Sequence, residues 1–178
     1  MSNENSILWS RSESSSKEYD YQISPKVAGK LIRKGFWNGS GSAEVGQHRF
    51  NFESTGTARM KLRVTDATSG EELAVLQFYW KDFQRSELRF SDGERFVLRA
   101  ADLLRGSWAW RRTTGGQDLL RYGVDNPLQR SGNMEILGKD LSALQRDLLS
   151  ALGLHLQIFL NNWLMTLIAV VLIVVTRA

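Results

Sequence analysis

The sequence predicts a mainly β protein: an antiparallel barrel of about ten to twelve strands around, or followed by, a hydrophobic C-terminal α-helix. Two observations carry this. Between residues 19 and 139 apolar and polar residues alternate with period two, in short runs broken by turn signals. From Leu148 to Thr176 the chain holds 29 consecutive residues without a formal charge, taking His155 as neutral.

Residues 1–18 are rich in Ser, Asn and Glu and read as a flexible leader. They lack a basic stretch followed by an apolar one, so they are no secretory signal, and a cytoplasmic protein is expected, with any membrane association made through the C-terminus. The β-barrel domain is assigned to 19–140. Within it, Asn38-Gly39 and Asp92-Gly93 are two-residue hairpin signals, because both central positions of a type I′ turn need positive φ. Ser69-Gly70, Gly115-Gly116 and Ser131-Gly132 are weaker signals of the same kind.

Between the turns, Leu62 and Val64 face away from Lys61 and Arg63, Phe50 and Phe52 from Arg49 and Asn51, and Phe96 and Leu98 from Arg95 and Arg99. Ten strands follow, at 19–24, 30–37, 44–53, 59–67, 72–80, 86–91, 95–100, 107–112, 118–124 and 133–137. Their apolar faces are rich in large side chains and need a second sheet or a central helix to pack against.

The third part, 141–178, is the hydrophobic helix, either a barrel plug or a membrane-contacting segment. It has two unequal pieces. His155, Gln157, Asn161 and Asn162 are expensive in hydrocarbon and ask for protein partners. Residues 163–175 are apolar apart from Thr166. Here Trp163, Leu164, Leu167, Ile168, Val171, Leu172 and Val175 are the candidates for plugging the barrel or touching a membrane, with Trp163 where an interfacial aromatic would sit. Gly153 and Ser150 are small enough to let a strand approach closely.

A chain of 178 residues is long enough for a sizeable core, and its net charge of +4 suits an anionic surface. It has no cysteine, which excludes disulfides and thiolate metal sites. Its two histidines, one on a strand and one in the helix, make a poor metal site or catalytic base. Glu71-Glu72 follows Gly70 in a turn, and no phosphate-binding glycine loop occurs. No catalytic residue, metal or cofactor is expected. The basic residues are more informative. Arg59, Lys61 and Arg63 share one strand face, Arg95 and Arg99 another, and Arg89 lies on the strand between turns. Guanidinium forks suit phosphate groups, so these six are the candidate lipid-headgroup residues.

The stretches 30–37, 71–80, 86–98 and 131–137 look like successive hairpins, and 148–160 like the start of a core helix. In this layout the chain resembles the tubby-like superfamily, which includes phospholipid scramblases and LURP-one-related proteins. The resemblance implies a closed barrel around a central helix, and phosphoinositide headgroups held by basic surface residues. The expected function is a non-enzymatic module that binds anionic phospholipid or regulates at the cytosolic membrane face. The alternative is a C-terminally anchored, single-span protein whose β-domain binds a protein partner. Nucleic acid is the least supported partner, since no basic–aromatic module is recognisable.

Overall fold

A computed structural model describes residues 6–13, 15, 17–23, 27–34, 39–55, 60–79, 86–102, 107–126 and 131–177, with the backbone alone for 161, 163–177 and a few strand residues. Twelve strands form one closed barrel in which each pairs antiparallel with its sequence neighbour, and β1 pairs with β12 to seal the ring. They are β1 Ser6–Arg11, β2 Glu18–Ile23, β3 Val27–Arg33, β4 Gly41–Val45, β5 His48–Thr55, β6 Met60–Asp66, β7 Glu72–Phe78, β8 Glu87–Phe90, β9 Arg95–Asp102, β10 Ser107–Arg112, β11 Asp118–Asn126 and β12 Ser131–Ile136. One helix, α1, runs Ala143–Arg177.

The period-two pattern lands on the expected faces. Phe50, Phe52, Leu62, Val64, Phe96 and Leu98 are buried, while Lys61, Arg63 and Arg95 are exposed. Three expectations need correction. The presumed leader supplies β1: Ile7 and Trp9 point inward, at 1% and 3% exposure, and Leu8 points outward. A short inward pair is enough to complete a ring that would otherwise leave two open edges. The single strand expected at 44–53 is two, turned at Gly46 with φ of 59°, a left-handed conformation that glycine adopts without steric cost. Ser131-Gly132 is not a turn but the start of β12. A Cβ on Gly132 would sit 2.8 Å from the Trp9 ring and closer still to the Gly123 carbonyl, so glycine is kept there for close approach. The hairpin signals at Ser69-Gly70 and Asp92-Gly93 do turn β6 into β7 and β8 into β9, with positive φ at both glycines. Asn38, Trp37 and Trp80 lie outside the described residues.

The helix occupies the barrel axis. Residues 147–160 are buried on every face. They meet β4 on one side and β10 on the other, and these strands lie six apart in either direction round a ring of twelve. Eight strands would leave room only for side chains, whereas twelve admit a helix about 10 Å across. A helix apolar all round belongs in such a place. It starts on a capping box: the Gln145 amide donates to Ser142 Oγ, and the Ser142 amide to Gln145 Oε1, both at 3.1 Å.

One carbonyl of the helix takes two hydrogen bonds from the barrel wall. Trp110 Nε1–H donates to Leu149 O at 3.1 Å, and Tyr122 O–H donates to the same oxygen at 2.6 Å. Gly153, one turn later, makes this possible. A Cβ there would fall 2.2 Å from Tyr122 Oη and 2.6 Å from Trp110 Nε1. The missing side chain opens a window onto the Leu149 carbonyl, through which both rings reach.

The helix is longer than its sheath. Strands of 4 to 9 residues, at ~3.3 Å each and tilted by about 40°, stand about 20 Å tall. The 35 residues of α1 measure about 52 Å at ~1.5 Å per residue. The helix enters beside the β4–β5 turn, where His48 Nδ1 lies 2.8 Å from Asp147 Oδ2. It reaches the opposite end where the Arg33 guanidinium stands 6.0 Å from the Phe159 ring. The helical backbone beyond residue 162 therefore continues past the barrel.

Two outcomes follow. Gly153→Ala should cost about 2–3 kcal/mol in denaturant unfolding, because it overpacks a fixed site and breaks two buried hydrogen bonds. A chain ending at Asn162 should keep a cooperative thermal transition, and one ending at Ser142 should have none; a cooperative transition in the shorter chain would show that the barrel does not need its helix.

Candidate functional site

Register decides which of the candidate basic residues meet. Across the outer wall, Arg63 on β6 faces Val75 on β7, Val75 faces Arg89 on β8, and Arg89 faces Arg95 on β9. Lys61 lies in the next row, facing Gln77, which faces Glu87. Lys61, Arg89 and Arg95 thus line one groove of about 510 Å³ with Val75, Gln77, Tyr79 and Glu87.

The groove's charges are only partly neutralised. Glu87 is its one carboxylate, at 3.6 Å from Arg89 and 3.7 Å from Arg95, beyond good hydrogen-bonding distance. Lys61 makes no ion pair among the described residues. Three cations against one anion leave the groove positive, as an anionic oxygen cluster requires.

Arg63 differs, although it shares the row. Its Nη2 donates to Glu53 Oε2 at 2.5 Å, and this bond raises the guanidinium pKa and lowers that of Glu53. Its charge is therefore spent on the neighbouring strand. Arg99 faces Ala109, further along β9, and does not line the groove. Arg59 lies outside the described residues, as do the side chains of Trp163, Leu164, Leu167, Ile168, Val171, Leu172 and Val175, whose backbone is helical. Among the described residues, no helix is long and apolar enough to cross a membrane, and no three His, Asp or Glu side chains converge as metal ligands.

The other basic clusters are tied up. Arg111 and Arg121 both donate to Asp118, at 2.5 and 2.7 Å. Burial works against the Asp118 carboxylate, but the bonds from Arg121 and Arg111 hold its pKa below the ordinary range. Arg112 pairs with Asp140 and stands 3.6 Å from Glu94. Lys30 pairs with Glu18 at 2.6 Å.

The interior polar residues serve the fold. His155 Nε2–H donates to the Gly39 carbonyl at 2.8 Å, and its ring packs 5.1 Å from that of Phe52. Gly41 clears space for it: a Cβ there would approach the imidazole to 3.2 Å. Burial, helped by the positive charge of Arg33, pushes the His155 pKa down to about 3. Neutral, with its one proton donated to a backbone carbonyl, it is placed as a strut. Sequence reasoning passed over two things. The capping box at Ser142 and Gln145 was readable as Ser-x-x-Gln. The groove members Val75, Gln77, Tyr79 and Glu87 carry no sequence signal of their own, and only the register brings them together.

Comparison of the chain with protein-family models finds no match, and comparison with curated proteins and with solved structures finds none either.

The His155 shift has a sign. A histidine with pKa near 6.5 unfolded and about 3 folded leaves the unfolded chain holding more protons between those values. Its contribution is therefore complete above pH 6.5 and is lost as pH falls towards 3, by up to about 1.4 kcal/mol per pH unit. Urea unfolding from pH 7 to 4 should show this slope, and His155→Gln should flatten it; an unchanged slope would assign the acid sensitivity to other groups.

Proposed function

We propose that this chain is a non-enzymatic membrane-surface module that binds anionic phospholipid. The observation that carries the reading is the mismatch between helix and barrel. Residues 147–160 are consumed as core, and the apolar run 163–175 lies on the part of α1 that continues beyond the barrel.

Its length points to a surface attachment. From Trp163 to Arg177 the helix covers about 21 Å at ~1.5 Å per residue. That exceeds one leaflet of a hydrocarbon core about 30 Å thick and falls short of two. A single-span anchor would need the residues already inside the barrel, and withdrawing them would unmake the core. The groove of Lys61, Arg89 and Arg95 supplies complementary charge. Its lower members, Lys61 near the start of β6 and Tyr79 just past β7, stand at the end where the helix leaves. The resemblance of the sequence's layout to tubby-like and scramblase-like domains supports a phosphorylated headgroup as the ligand of this groove.

Flotation with vesicles of phosphatidylcholine, with and without a third of phosphatidylserine, tests the reading. The full chain should float only with the anionic vesicles. Leu167→Glu with Val171→Glu should abolish flotation, and Lys61→Ala with Arg89→Ala should weaken it by tenfold or more, at about 1 kcal/mol per basic residue near the surface. Flotation that survives the helix substitutions unchanged would remove the helix end from the interface.

A further inference from the structure

Two arginines stand face to face on the outer wall. Arg89 on β8 and Arg95 on β9 are direct cross-strand partners, and like charges so placed repel. A carboxylate is set beside them. Glu87 lies two residues before Arg89, on the same face of β8. A single oxygen of it, Oε1, is 3.6 Å from Arg89 Nη2 and 3.7 Å from Arg95 Nη1. At these distances it is hydrogen-bonded to neither. It is also the least exposed of the three, with 32% of its side chain open against 59% and 49%. On its other side the row runs through Gln77 to Lys61.

Charge therefore alternates across the groove: Lys61 positive, Glu87 negative, the Arg89–Arg95 pair positive. A ligand that is anionic throughout meets Glu87 as a repulsion. The complement carries the opposite series, anion, cation, anion. The phosphoserine headgroup of a lipid has this series, as phosphate, ammonium and carboxylate. A phosphoserine inside a peptide lacks it, because its nitrogen and its carboxyl carbon are both amides. The order along the barrel suits a lipid as well. Lys61 and Glu87 share the row nearer the end where the helix leaves, and Arg89 and Arg95 share the next row in. A headgroup entering from that end brings its phosphate to Lys61 first and its carboxylate to the guanidinium pair last. Guanidinium forks match a carboxylate, and a lysine ammonium meets phosphate as a point charge.

We propose that this groove reads the phosphoserine headgroup of an anionic bilayer and that Glu87 is its specificity-determining residue. Glu87 accepts from the serine ammonium, Arg89 and Arg95 hold the serine carboxylate, and Lys61 meets the phosphate. The proposal rests on the membrane-surface reading above and adds to it the identity of the headgroup and the side chain that selects it.

Two lipids of equal charge test it. Phosphatidylglycerol has the same net charge as phosphatidylserine but carries hydroxyls in place of the ammonium and carboxylate, so vesicles holding equal fractions of either present the same surface potential. The full chain should partition to the phosphatidylserine vesicles about fivefold more strongly, as one partly exposed ion pair allows. Glu87→Gln, of matching size on the outer wall, should bring the two lipids to equality, raising binding to phosphatidylglycerol because a repulsive charge is gone. Equal partitioning by the unmodified chain would overturn the proposal and leave membrane binding intact. So would a preference that survives Glu87→Gln, since the carboxylate would then serve only to separate the arginines. No binding to either lipid would sink both readings. Free O-phospho-L-serine, titrated against the full chain by NMR, gives a readout that needs no membrane: it should shift the amide signals of Gln77 and Glu87 more than inorganic phosphate does. Such shifts without any preference between the vesicles would give the groove to a soluble amino-acid phosphate and overturn the lipid assignment.

Discussion

An apolar helix that must be sheathed on every side is the constraint from which the rest of this structure follows. A sheet packed on one face of α1 would leave the other in water, at roughly 25 cal/mol for each Å² of apolar surface exposed. Only a closed ring covers all faces of residues 147–160 at once, and only a ring of about a dozen strands is wide enough to do so. The same closure removes the unpaired edges that a sheet of this length would otherwise present. Pairing of β1 with β12 is therefore as much a consequence of the helix as of the strands themselves.

Within that sheath the polar contacts set register. Apolar side chains give a helix no preferred depth in a greasy tube. Leu149 O, bonded by Trp110 and Tyr122, and His155, bonded to Gly39 O, provide two levels at which sliding would break buried hydrogen bonds. The His48–Asp147 contact adds a third level at the entry rim. Together they fix how much helix remains inside, and hence how much is left over.

Most strands were legible because one wall face is buried and the other wet, so alternation had to appear in residues such as Leu62, Val64, Lys61 and Arg63. What hid β1 was its brevity: Ile7 and Trp9 are a single inward pair within a polar stretch. The turn at Gly46 was hidden because Gly46-Gln47 is not one of the strong two-residue hairpin signals, although the inward positions shift from Ala43 and Val45 to Phe50 and Phe52 across it. The expected basic site was legible as residue types and not as a place. Arg63 and Arg89 look alike in sequence, yet one is spent on Glu53 and the other lines a groove. Cross-strand register separates them, and register is a property of the closed ring.

The order in which the parts are made follows from the helix being the core. Synthesis delivers all twelve strands before the element they enclose, so for most of translation the sheet has nothing to close around. Contacts between β1 and β12 likewise join positions 121 to 129 residues apart. The ring therefore has no core to close on before the helix is made, and folding is slow, as for other topologies dominated by non-local pairing. Until residues 143–160 arrive, the inward faces of Phe50, Phe52, Leu62 and Phe96 are available to any other apolar surface. A nascent chain built this way depends on being shielded from aggregation until the helix has left the ribosome.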